Sequence, residues 1–382
     1  MLKIVKTVVV LASFLLMMTS PYAAIALNPT APEVAAKSYI LQDFASGQVL
    51  AEKNSEQRLP PASITKLMTA YVVSHELHAG NISLSDEVLI SEKAWRMVGS
   101  RSFIEVNTKV PVEVLLRGMI IQSGNDAAVA LAEHVAGSED IFAQMMNQYA
   151  QKLGMLNTNY RNATGLPDSE HYTTAKDIAT LSAAIIRDFP EHYKWYAEKA
   201  FSYNNITQHN RNKLLWRDSS VDGLKTGHTE AAGYCLAASA QRNDMRLISV
   251  VLGTQSENAR AQETQKLFNY GFRFFETHDL YQAQDKIIDI KIWKGADDTV
   301  DLGLQQPLSV TVPRGRYKDL VASTNIQQSV LAPIEAGSPL GEVEIRLDDS
   351  LIVSKPLVAL QAVEQGSWWR RLIDAILMLI WN

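Results

Sequence analysis

The pattern of the chain predicts an α+β fold: an antiparallel sheet with a helical insertion, then a small all-β domain, then a C-terminal amphipathic helix. Three observations carry this prediction. Alternating apolar positions mark strands near both ends of the first 279 residues, and helical faces fill the stretch between them. Beyond Asp279 the runs become short, alternating and separated by Gly, Pro, Asp and Asn. At 382 residues the chain is long enough for two or three domains.

Taken in order, 38–44 and 48–53 alternate around Ala45-Ser46-Gly47 and read as a β-hairpin. Ile64, Leu67, Met68, Tyr71 and Val72 then fall at i, i+3, i+4, i+7 and i+8, one continuous helical face. Pro60 and Pro61 precede it, where helices begin, and Ala79-Gly80 ends it. Between Glu87 and Asn205 the pattern is mostly helical, with apolar faces at 112–121, 126–136, 141–153 and 175–187. Thr174-Ala175-Lys176-Asp177 resembles a capping box for the last. A second hairpin is expected from 233–240 and 245–252 around Arg242-Asn243-Asp244, and a helix over 258–275 closes the domain. In the β domain, strands are expected at 287–293, 308–312, 320–322, 340–347 and 350–354.

The two ends carry signals of their own. Lys3 and Lys6, an apolar run from Val8 to Met18 and the small-residue triplet Ala24-Ile25-Ala26 read as a signal peptide cut after Ala26. An uncleaved anchor is the competing reading, but the run is short for a span and ends in Ser20-Pro21. The C-terminal stretch puts Trp369, Leu372, Ile373, Ile376, Leu379 and Ile380 on one face, with Arg370, Arg371 and Asp374 on another. It reads as an interfacial membrane anchor; a helix docked on the protein's own core is the alternative. The predicted division is therefore 1–26 signal peptide, 27–279 first domain, 280–362 all-β domain and 363–382 anchor helix.

A net charge of −5 with no interior Lys/Arg block gives no field for nucleic acid. The single cysteine, Cys235, excludes an internal disulfide and reads as a core thiol on a strand. The eight histidines are scattered with no His-Glu-x-x-His, so no metal or cofactor is expected; His75 and His78 read as solvated. No Gly-x-Ser-x-Gly surrounds any serine.

What remains is one short stretch, Pro61-Ala62-Ser63-Ile64-Thr65-Lys66. Residues three apart on a helix are neighbours, so the Lys66 ammonium can reach the Ser63 hydroxyl. The free N–H groups at a helix start could hold an oxyanion beside that serine. Taken alone, a serine cap followed by a solvated lysine explains it as well. This Ser-x-x-Lys is the only one in the chain, and two more triplets follow it: Ser123-Gly124-Asn125 in an interhelical break, and Lys225-Thr226-Gly227 just before a strand.

The chemistry of these residues is coherent. Lys66 can serve Ser63 as base only if neutral, which requires burial or a nearby like charge such as Lys225. Ser123 can relay a proton between Lys66 and a leaving amine, and Asn125 can hold both Lys66 and a peptide carbonyl. Lys225 can attract a substrate carboxylate, while Thr226 and Gly227 lead into a strand edge able to pair with an extended substrate.

The ordered set resembles the penicillin-binding-protein and serine β-lactamase superfamily. Residues 61–69, 121–127, 221–229 and Gly271-Phe272-Arg273-Phe274-Phe275 look like the low-molecular-mass penicillin-binding proteins, D-alanyl-D-alanine carboxypeptidases of the penicillin-binding protein 5/6 type. The resemblance covers nearly the whole chain, tail included. It implies a β-lactamase/transpeptidase-like catalytic domain and a serine carboxypeptidase that acts through an acyl-enzyme on Ser63. Implied partners are peptidoglycan pentapeptides ending in D-Ala-D-Ala, β-lactams and a membrane surface. The implied location is the periplasmic face of the bacterial inner membrane. The resemblance also assigns Arg211 to the substrate's terminal carboxylate and the His228 N–H, with that of Ser63, to an oxyanion hole. Arg260 is a weaker candidate, expected on a solvated helix face. A serine β-lactamase is the nearest rival, but the Glu-x-x-Leu-Asn pattern of class A enzymes is missing; a wall-binding protein with little activity is the other.

Overall fold

The computed structural model describes residues 30–381. The signal peptide and its cleavage after Ala26 lie outside those residues. The sheet of the first domain consists of β1 (Ser38–Asp43), β2 (Val49–Lys53), β5 (Val221–Thr229), β6 (Gly233–Arg242) and β7 (Met245–Thr254). Their order is β2-β1-β7-β6-β5, antiparallel throughout, so both expected hairpins form and β5 is an edge. Between β2 and β5 come α1 (Lys66–His78), α2 (Val112–Arg117), α3 (Asn125–Ala136), α4 (Glu139–Lys152), α5 (Ala175–Asp188) and a small hairpin of β3 (Ala200–Tyr203) and β4 (Ile206–His209).

The period-2 alternation of the central strands divides the core. Ile40, Leu224, Ala237, Ile248 and Val250 face the helical insertion, where α1, α3 and α5 pack. Leu41, Leu236, Ala238, Leu247 and Val251 face α6 (Glu257–Phe274), which contributes Leu267 and Phe268. The helix starts follow from local chemistry: Thr174 accepts the Asp177 N–H at 3.0 Å and Ser256 the Ala259 N–H at 3.0 Å.

Three local features differ from the sequence pattern. The turn before α1, Ala62–Thr65, is a 3-10 helix, and α1 begins at Lys66. The pattern over 112–121 becomes α2 followed by a wider π turn, Gly118–Gln122. A loop through 154–174 interrupts the helical region; it threads beneath the start of α1, tied to β2's exit by paired Leu59 and Thr173.

Strand β8 (Phe275–Tyr281) leaves α6 directly and pairs with β11 (Leu308–Pro313). The other strands of the β domain, β9 (Lys286–Trp293), β10 (Thr299–Gly303), β12 (Leu320–Ile326), β13 (Val330–Leu331), β14 (Pro339–Leu347) and β15 (Ser350–Ala359), form a six-stranded sheet ordered β12-β14-β15-β10-β9-β13. Val300, Leu302, Val343, Ile345 and Leu357 fill its core. Strand β10 has no counterpart among the expected strands because its five residues carry Asp301 and Gly303.

The two domains meet at the β1–β2 turn. Asp43, fully buried, accepts the Ser46 N–H and Oγ and the Thr277 Oγ, each at 2.8 Å, and the Thr311 hydroxyl closes the set against Ser46 at 2.6 Å. At the C-terminus, α7 (Trp368–Trp381) keeps its polar side on the β domain: Asp374 accepts the Lys294 N–H and Arg370 donates to the Ala296 carbonyl and Asp298. Trp368, Trp369, Leu372, Ile373 and Ile376 are exposed. Among the described residues no helix is long and apolar enough to cross a membrane.

Candidate active site

The 3-10 turn leaves Ser63 half-buried, with Lys66 one turn inward and 1% exposed. The Lys66 Nζ donates to Ser63 Oγ at 3.1 Å, to Asn125 Oδ1 at 2.7 Å and to the Thr164 carbonyl at 2.7 Å. Three acceptors therefore fix the amine against the serine.

The turn is held from two sides by glycines. A Cβ on Gly165, where φ is +82°, would lie 1.8 Å from the Ala62 carbonyl oxygen, and one on Gly227 would lie 2.9 Å from the Pro61 carbonyl oxygen. Thus the 154–174 loop and β5 both close on the Ser63 turn, and only a residue without a side chain permits it. Buried His171 fastens the same loop through the 2.9 Å contact of its Nε2 with Thr65 Oγ1. Burial pushes its imidazole down to about 4, and its Nδ1 accepts the Arg161 N–H at 3.3 Å, so the ring is neutral and Nε2 donates to Thr65.

Ser123 ends the π turn in the left-handed region, φ 71°, and is 2% exposed. Its Oγ is buried with no hydrogen-bond partner among the described residues, a polar group waiting for one. Asn125 opens α3, with Oδ1 on Lys66 and Nδ2 donating to the Val98 carbonyl at 2.6 Å.

Lys225, Thr226 and Gly227 lie within edge strand β5 rather than before it, because the pairing with β6 runs from Val221 to Thr229. Lys225 and Thr226 are buried. The hydrogen bond of the Lys225 Nζ, to the Thr226 carbonyl, is long at 3.4 Å. His228 is exposed and stacks on Tyr234 with centroids 3.9 Å apart. Arg211 is exposed, its Nε donating to the Gln122 carbonyl next to Ser123 at 3.2 Å. Arg260 corrects the sequence expectation: it is 4% exposed, not solvated, because its Nη1 donates to the Gly227 carbonyl at 3.2 Å from beneath the strand. His75 is likewise half-buried, its Nδ1 2.8 Å from the Tyr149 hydroxyl, whereas His78 is exposed.

Electrostatics follow from this burial. Loss of water pushes the Lys66 ammonium down to about 7; Asp126 and Glu139 oppose the shift and Arg211 adds to it. Burial is thus the main cause; Arg211 adds a like charge, and Lys66 and Lys225 repel one another. Lys225 is itself held well below the ordinary lysine value, by burial first and then by the charges of Lys66, Arg211 and Arg260.

Sequence reasoning missed the Thr164 carbonyl, the Val98 carbonyl and Asp126. A signal existed for the first: in Asn162-Ala163-Thr164-Gly165 the Asn162 Oδ1 accepts the N–H groups of Thr164 at 3.2 Å and Gly165 at 2.8 Å, a side-chain turn legible from Asn and Gly. Beside Ser63 a cavity of about 600 Å³ is lined by Pro61, Ala62, Leu166, Tyr172 and Thr229.

The profile of peptidase family S11, D-alanyl-D-alanine carboxypeptidase, matches residues 25–256, and that of the penicillin-binding protein 5 C-terminal domain matches residues 275–365. The chain is 44% identical over 356 residues to D-alanyl-D-alanine carboxypeptidase DacC of Escherichia coli, covering 91% of this chain and 89% of that protein. The crystal structure of penicillin-binding protein 5 from Haemophilus influenzae superposes with a TM-score of 0.86 at 42% identity, over 88% of this chain and 100% of that one. Penicillin-binding protein D2 from Listeria monocytogenes, in an ampicillin-bound form, gives 0.59 at 30% identity over 63% of this chain and 100% of that one. A buried lysine on a serine, the two further triplets in order and matches that span both domains lead to one conclusion: the chain belongs to the D-alanyl-D-alanine carboxypeptidase family of serine peptidases, peptidase family S11.

Proposed function

We propose that the protein removes the terminal D-alanine from peptidoglycan pentapeptides through an acyl-enzyme on Ser63. The observation that carries this reading is the Lys66 Nζ, buried and near neutral, 3.1 Å from Ser63 Oγ. An amine that is unprotonated near neutral pH can accept the serine proton as Oγ attacks the carbonyl of the D-Ala-D-Ala bond. The backbone N–H groups of Ser63 and His228 stabilise the oxyanion. The unpartnered Ser123 hydroxyl passes the proton to the leaving amine, while Asn125 holds Lys66 and the substrate amide. Lys225, Thr226 and Arg211 receive the terminal carboxylate, and the free edge of β5 beside Gly227 pairs with the extended peptide. Water then releases the shortened peptide. A β-lactam, whose ring mimics the scissile amide, acylates the same serine and leaves slowly.

Incubation with a pentapeptide ending in D-Ala-D-Ala and mass spectrometry should show loss of one alanine. Penicillin acylation without that loss contradicts the carboxypeptidase reading and leaves penicillin binding alone.

The same reading places the chain at the periplasmic face of the bacterial inner membrane after removal of residues 1–26, held peripherally by α7. Its exposed tryptophans and aliphatic face suit the headgroup region. Residues 27–279 then act as catalytic domain, 280–362 as a stand and 363–382 as anchor. Deletion of residues 366–382 should release active protein from membranes; a truncated protein that still sediments with them contradicts the anchor.

A further inference from the structure

The loop from Val98 to Ser102 grips the Ser123-Gly124-Asn125 turn at several points. The Asn125 N–H donates to the Ser100 carbonyl at 2.7 Å and its Nδ2 to the Val98 carbonyl at 2.6 Å, which leaves Oδ1 turned to the Lys66 Nζ at 2.7 Å. The grip is returned by Asp126. Its two carboxylate oxygens accept the Ser102 N–H at 2.8 and 3.0 Å, and Oδ1 also accepts the Ala127 N–H at 2.9 Å. The fit leaves no slack. A Cβ on Gly124 would meet Ser102 Oγ at 2.0 Å, one on Gly118 would meet it at 2.6 Å, and one on Gly99, φ +86°, would meet Asn125 Nδ2 at 2.9 Å. Asp126 is fully buried, and the Arg101 Nε stands 3.9 Å from it.

We propose that Asp126 is a positioning residue for acylation: its buried carboxylate locks the 98–102 loop onto the Asn125 turn, so that Asn125 faces Lys66. The proposal rests on the reading of Lys66 as the base of Ser63. The charged groups around Lys66 are Asp126 and Glu139, which favour the ammonium, and Arg211 and Lys225, which disfavour it. Glu139 is engaged by Lys93 at 2.8 Å and the Ala163 N–H at 3.1 Å, so Asp126 is the carboxylate tied directly to the Ser-Gly-Asn turn.

The test is the pH dependence of acylation by a fluorescent penicillin in the whole protein. Asp126→Asn keeps an acceptor for the Ser102 N–H but removes the charge, so the acid limb should move down by about half a pH unit or more, and acylation below the limb should exceed wild type. Gly99→Ala displaces the loop without altering charge; its plateau rate should fall roughly tenfold or more with the limb in place. An unmoved limb in Asp126→Asn overturns the charge assignment. A Gly99→Ala plateau equal to wild type overturns the positioning. If wild type itself shows no limb near neutral pH, the base reading of Lys66 fails instead, a separate outcome.

Discussion

At the scale of the residue, the account turns on one lysine. Burial holds Lys66 down to about 7, against an ordinary value of 10.5, so it is protonated below that point and neutral above it. A base must be neutral, so acylation should rise as pH increases through about 7 and level off above, far below the range an unshifted lysine would need. Lys66→Arg, permanently charged, should lose acylation by about a hundredfold or more at every pH, measured as the rate of penicillin labelling. A variant with a normal rate would remove Lys66 from the chemistry. Serine and lysine spacing made this pair legible in the sequence, because contact at i, i+3 is local. The source of its neutrality, the exclusion of water, was not, since parts of the chain packed against the amine, Asn125 and Thr164 among them, arrive from 59 and 98 residues away.

At the scale of the element, hairpins and long helices were legible because each declares its own period. The strand that holds Lys225-Thr226-Gly227 does not declare itself: Gly223 and Gly227 break the apolar alternation, and the pairing that makes Val221–Thr229 a strand is supplied by β6. The helical period alone does not tell a buried Arg260 from a solvated one. Which turn lies under β5 is a tertiary fact, and Arg260 spends its guanidinium on the Gly227 carbonyl. The 154–174 loop carries the least periodic signal and does much of the positioning. Gly165→Ala would drive a Cβ into the Ala62 carbonyl oxygen at a backbone angle that alanine resists. It should cost about 2 kcal/mol or more in denaturant unfolding and slow penicillin labelling. Unchanged stability would show that loop and nucleophile turn are not in contact.

At the scale of the molecule, the division into a mixed domain, an all-β domain and an amphipathic helix was legible from composition. The joint between the domains was not, because Asp43, Ser46, Thr277 and Thr311 are ordinary polar residues until folding brings them together. Asp43→Ala leaves the Ser46 N–H and Thr277 hydroxyl without their acceptor and should cost about 2 kcal/mol, read from denaturant curves. Tail and body are joined just as specifically. Arg370→Ala with Asp374→Ala should raise hydrogen exchange in 367–374 without weakening the membrane attachment proposed for the helix, since the exposed apolar face is untouched. The whole arrangement serves the presentation of one serine. Peptide mapping by mass spectrometry after brief exposure to penicillin tests that most directly. The adduct should sit on the peptide that contains Ser63, and Ser63→Ala should carry none; an adduct on another residue, or undiminished labelling of Ser63→Ala, contradicts the account.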